Sequence, residues 1–212
     1  MANERSLTRD RLLDAALARF STHGWAGTSI RALSQDVGIR ESSVYKHFPS
    51  KQTIFDALLA RAESRLAEVA DGLEVSITAA SAAPGYRDIT ADRLVEVAHG
   101  FFDAMLHDPE LRDLRRLFIT NQYRDPEIGR RLRGYWLEAP LTFHTELFSS
   151  LFTTEDFRPG LDPQATAVAF FGPIWFLLQY ADSPGADSEQ QARQMLAAHI
   201  RDFRATRLRS QP

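Results

Sequence analysis

The stretch from Thr28 to Lys51, TSIRALSQDVGIRESSVYKHFPSK, constrains this chain more than any other. Ile30, Leu33 and Val37 fall at i, i+3 and i+7, so they share one face of a helix. Thr28 or Ser29 can cap that helix by accepting from a free backbone N–H. Gly38 follows the last apolar residue, and a residue without Cβ suits the left-handed turn that ends a helix. Ile39 then faces inward. A second helix runs from about Glu41 to Phe48, with Val44 and Phe48 inside. Pro49 stops it, and Ser50 is a good N-cap for a longer helix opening at Lys51. Two short helices across a tight turn make a helix-turn-helix, whose second helix enters the major groove of DNA.

The outer face and ends of that second helix hold Arg40, Glu41, Ser42, Ser43, Tyr45, Lys46 and His47. Arginine and lysine read guanine O6 and N7, serine bonds phosphate or base, and a tyrosine hydroxyl reaches phosphate. Arg40, Ser42, Ser43 and Lys46 are the candidates at or near the bases. Thr28, Tyr45, His47 and Lys51 are the phosphate candidates. An isolated short polar face is equally a solvated one; the turn glycine, the preceding helix and the Pro-Ser-Lys that follows favour DNA.

A chain of net charge −3 does not suggest a DNA binder, but the distribution does. Residues 1–51 hold eight Lys and Arg against five Asp and Glu, a net of +3, and the remainder carries −6. A basic module on an acidic body is expected where one end meets phosphate. The absence of cysteine excludes disulfide and thiolate chemistry and fits a reducing cytoplasm. MANERSLTRDR has no apolar core of a signal peptide. The longest apolar run, Ala165 to Leu178, is too short to cross a membrane and contains Gly172 and Pro173. The expected setting is the bacterial cytosol or nucleoid, with no membrane partner.

Leu12 to Lys51 resembles the TetR family of bacterial transcriptional regulators. The resemblance is carried in order and spacing by LLDAALARF, Gly24-Trp25, Thr28-Ser29-Ile30, Val37-Gly38-Ile39, Val44-Tyr45-Lys46-His47-Phe48 and Ser50-Lys51. It covers about a quarter of the chain. Many members carry glycine where this chain has Ser42, a difference that bears on operator choice. The resemblance implies an all-α fold, a DNA-binding domain over 1–50 and a ligand-binding and dimerisation bundle over 51–212. It also implies a homodimer on a palindromic operator, Lys51 on a phosphate, a basic arm over residues 1–7 brushing the DNA, and release by a small molecule.

The rest of the chain reads as amphipathic helix, about nine helices in all. The first spans Thr8 to His23, with Leu12, Leu13, Ala16, Leu17 and Phe20 inside. The helix from Lys51 runs to about Glu74 and is read as the one covalent link between the two domains. Ser76 to Thr90 is a loop and 91–107 a helix. Asp108-Pro109, Asp125-Pro126 and Asp162-Pro163 each open a helix, aspartate as N-cap and proline in the first position. These cover 109–122, 126–152 (kinked at Pro140) and 163–181, and a last helix covers 188–206.

Aromatic residues with interspersed polar groups describe a small-molecule pocket as well as an ordinary core. The pocket candidates are Phe101, Phe102, Met105, Phe118, Asn121, Gln122, Trp136, Phe143, His144 and Phe170. The helix over 163–181 is apolar nearly all round, so a partner subunit is a natural cover. In the resemblance the last two helices form a four-helix bundle with their mates, giving Ala167, Phe171, Ile174, Trp175, Leu178, Met195, His199 and Phe203 as interface candidates. Enzyme readings fare poorly: Glu96-x-x-His99 is a lone half of a di-iron pattern, and no metal or cofactor is expected. The alternative is a regulator or adaptor controlled by a protein partner without a small-molecule ligand.

Overall fold

The computed structural model describes residues 2–77, 85–86, 89–153, 157–183 and 187–207, and the side chains from residue 6 onward within them. Among the described residues there are helices and no strand. They are α1 (Ala2–His23), α2 (Ile30–Val37), α3 (Glu41–His47), α4 (Lys51–Gly72), α5 (Ala91–His107), α6 (Pro109–Asn121), α7 (Pro126–Arg133), a π-turn (Gly134–Glu138), α8 (Ala139–Leu151), α9 (Pro163–Ala181) and α10 (Ser188–Arg207). α7, the π-turn and α8 run without a break. None of the helices is long and apolar enough to cross a membrane, among the residues described.

The chain divides into two compact units, Met1–Leu66 with Pro109–Arg133, and Ala67–Asp108 with Gly134–Pro212. In the first, α1 buries Leu12, Leu13, Ala16, Leu17 and Phe20, and α4 buries Ile54, Phe55, Leu58 and Ala62. Phe20, Trp25 and Phe55 meet at centroid distances of 5.0, 5.5 and 6.4 Å. α6 adds Leu111, Leu114, Leu117 and Phe118. Polar ties bind it in: Arg61 of α4 pairs with Glu110 and, at 2.8 Å, with Asp14. Arg131 of α7 pairs with Asp56 and lies 4.8 Å over the Phe55 ring. Phe118, Asn121 and Gln122, candidates for the bundle's pocket, therefore lie in the unit of the helix-turn-helix. Asn121 is buried there, its amide bonded to Leu117 O and Thr120 Oγ1, and a Cβ on Gly24 would come within 2.6 Å of its Oδ1.

In the second unit, Val95, Phe102 and Leu106 of α5 pack with Leu177 and Leu178 of α9 and with Ala192, Leu196 and Ile200 of α10. A second cluster joins Leu147, Phe148 and Leu151 of α8 to Ala167 and Phe203.

The caps follow the sequence. Asp125 Oδ1 accepts from the N–H groups of Glu127 and Ile128, and Asp162 Oδ1 from Ala165 at 2.6 Å. At Pro140 the expected kink takes the form of the π-turn just before it: proline lacks the N–H that would bond back four residues, and its ring crowds that carbonyl. α1 begins at Ala2, so residues 2–7 continue the helix where an arm was expected. Most of the loop expected over 76–90 lies outside the described residues.

Candidate DNA-binding surface

α2 starts at Ser29, whose hydroxyl accepts from Ala32 N at 3.1 Å. It ends at Gly38 with φ +72°, where the N–H groups of Gly38 and Ile39 return to Gln35 O and Ser34 O. This left-handed closure turns the chain into α3 within three residues. Val44 and Phe48 are buried and anchor α3. Ser50 and Thr53 cap α4 reciprocally, hydroxyl to N–H in both directions.

Arg40, Glu41, Ser42, Tyr45 and Lys46 are thereby exposed together along α3, with Tyr45 at 50%. Ser43 and His47 are half-buried on its flanks. Two phosphate candidates are placed differently. Thr28 is 2% exposed and its hydroxyl donates to Gly24 O at 3.0 Å, so its side chain belongs to the turn after α1. Lys51 turns inward: Nζ donates to Trp25 O at 2.7 Å and Thr28 O at 3.0 Å, and lies 4.3 Å over the Trp25 ring. Burial lowers its pKa below the usual lysine range, against the pull of nearby Asp125. Two of its three donors are thus spent on the α1–α2 connection. The sequence hid this because a lysine in a first helical turn reads as anion-facing.

The family model for bacterial regulatory proteins of the tetR family matches residues 12–58, the segment whose helices have just been described. The transcriptional repressor AcnR of Corynebacterium diphtheriae is 33% identical over 138 residues, 64% of this chain. The chain spans only 58% of that relative's length. A TetR-family regulator structure from Mesorhizobium loti superposes with a TM-score of 0.67 at 26% identity, covering 97% of this chain and 98% of that one. Residues 12–58 thus match the DNA-binding segment of TetR-family regulators, and the chain is similar to one of them in fold over nearly its whole length. A complex of SmeT with triclosan shares the fold as well, with a TM-score of 0.70 at 18% identity over 96% of this chain and 93% of that one.

In the second unit the candidates sort by burial. Phe102 is core and Met105 packs against it; Phe101 is half-buried. Trp136 is buried in the π-turn. His144 of α8 is ringed by Phe143, Phe148, Phe170 and Phe171 at 5.0 to 6.4 Å. Burial pushes its pKa down to about 4, with a bond from Nδ1 to Pro140 O opposing.

Among the interface candidates, Ala167, Leu178 and Phe203 are buried inside their own chain and cannot cover a partner as they stand. Phe171, Ile174, Trp175 and His199 are half-buried, His199 bonding Phe170 O through Nε2 at 3.0 Å. Met195 is 40% exposed. Val168 and Phe176 of α9, neither of them among the interface candidates, are 53% and 61% exposed. A helix apolar on every side gives no sequence signal for which side its own chain covers.

Proposed function

We propose that this protein is a cytosolic repressor that binds a palindromic DNA operator as a homodimer and is released by a small hydrophobic or amphipathic molecule in the second unit. The observation that carries the DNA reading is α3, with Val44 and Phe48 in the core and a row of hydrogen-bonding side chains outside. Arg40, Ser42 and Lys46 are the base readers and Tyr45 a phosphate contact, with Glu41, Ser43 and His47 at the edge. Two copies on a two-fold axis set half-sites about 34–36 Å apart or a multiple. Val168, Gly172 and Phe176 recur every four residues on an exposed face of α9, and with Met195 of α10 they form the apolar surface offered to a second copy. The liganded SmeT neighbour supports an effector in this fold. A coupling of about 1–3 kcal/mol between the two sites suffices for release.

Competition binding against an operator library tests the reading. Lys46→Ala or Arg40→Ala should re-rank operator variants, costing about 1–3 kcal/mol at the position each reads. A loss uniform across all sequences would demote both residues to backbone contacts.

A further inference from the structure

Two ring nitrogens inside the second unit lack partners among the described residues, and they bracket one run of aromatic rings. Trp136, in the π-turn, is buried with its Nε1–H unbonded. Its ring lies 6.3 Å from that of Trp175, Trp175 lies 6.5 Å from Phe171, and Phe171 stacks on His144 at 5.8 Å with planes 27° apart. His144 Nδ1 donates to Pro140 O at 2.7 Å. That bond fixes the proton on Nδ1 and leaves Nε2 a lone-pair acceptor with no bond of its own.

A buried polar group without a partner costs about 1–3 kcal/mol, and native interiors leave few. Here that applies to the Trp136 N–H, while the half-buried His144 keeps an unbonded Nε2 acceptor at the other end of the same run. The π-turn that holds Trp136 is itself an irregularity that recurs at functional sites. With His144 neutral, the four rings carry no formal charge, so the run offers stacking, one donor and one acceptor.

We propose that the run His144–Phe171–Trp175–Trp136 is the effector site, and that the effector is a neutral, flat aromatic molecule. Its hydroxyl donates to His144 Nε2, and an acceptor elsewhere on its ring system receives the Trp136 Nε1–H. This deepens the reading of a ligand-released repressor and rests on it.

Calorimetric titration of the full-length protein with three probes tests the assignment. 4-Hydroxychalcone carries both groups, 4-methoxychalcone lacks the donor, and 4-hydroxystilbene lacks the carbonyl. On the wild type, each deficient probe should bind about tenfold more weakly, the worth of one hydrogen bond. In His144→Phe the hydroxy and methoxy chalcones should bind alike, and in Trp136→Phe hydroxychalcone should fall to the level of the stilbene. Equal affinity of the three probes for the wild type overturns the site chemistry, without reliance on either variant folding. Absence of binding by all three overturns the ligand class. Operator binding is measured on the same preparation. DNA binding without probe binding removes only this inference, whereas failure to bind any DNA removes the repressor reading.

Discussion

His144 should make this protein acid-sensitive between about pH 6.5 and pH 4. In the folded chain it stays neutral down to about pH 4, because the aromatic cage around it solvates an imidazolium poorly. The unfolded chain takes up that proton near 6.5, the usual histidine value. Between these two values the unfolded state binds more protons, so stability is full above pH 6.5 and drains as pH falls. Each unit below 6.5 costs about 1.4 kcal/mol. From pH 7 to pH 5 the loss from this one residue is about 2 kcal/mol, approaching about 3 kcal/mol near pH 4. Asp36 and Glu189, whose pKa values are lowered by Arg19 and by Arg193 respectively, lose their contributions only at lower pH. The assay is urea unfolding at pH 7 and pH 5, at one protein concentration, for the wild type and His144→Phe. The phenylalanine should remove about 2 kcal/mol of the pH dependence while the remaining titrations cancel in the difference. Equal losses in both proteins would refute the neutral, caged histidine.

Three further outcomes follow from the same coordinates. Lys51→Met should cost about 2 kcal/mol of stability, from two charge-assisted bonds and a cation–π contact at a partly solvated site, and should leave the salt dependence of DNA binding nearly unchanged. A slope lower by one phosphate contact with stability intact would return Lys51 to the DNA. Gly24→Ala should cost about 2–3 kcal/mol in urea unfolding, combining a left-handed φ of +76° with a Cβ set 2.6 Å from Asn121 Oδ1. In an Asn121→Ala background the steric part should vanish, leaving about 1 kcal/mol. Phe176→Arg should leave a folded monomer in sedimentation at micromolar concentration, and a persistent dimer would move the interface off the exposed face of α9.

The legibility of this chain in its sequence was uneven for physical reasons. Helix ends were legible where a cap is local: Asp125 and Asp162 bond N–H groups two or three residues on, and the N–H groups of Gly38 and Ile39 close α2 on carbonyls three and five residues back. The family resemblance, carried by residues 12–51, added the fold and the role of α3. What stayed hidden depends on long-range partners. Thr28 and Lys51 look like surface residues until Gly24, Trp25 and Thr28 carbonyls are seen to claim them. Phe118 and Asn121 read as bundle residues because nothing local says that α6 packs with the first unit. The exposed face of α9 escaped for the opposite reason, since its apolar residues look the same whether their own chain or another covers them.

The division of the chain bears on how a ligand signal could travel. The sequence suggested one covalent link, the helix opening at Lys51. With residues 109–133 in the first unit, the chain passes between the units after Leu66, after Asp108 and after Arg133. α6 and α7 are fastened to α1 and α4 by the Arg61 and Arg131 ion pairs and by Asn121 against Gly24. Asp125, at the start of α7, lies near enough to Lys51 to oppose the lowering of its pKa, and Lys51 in turn holds the carbonyls just ahead of α2. A displacement of α7 therefore has a short path to the helix-turn-helix that need not run along α4. The π-turn that begins at Gly134 follows α7 without a break and holds Trp136. A molecule bonding Trp136 would thus act one helical turn from the junction after Arg133.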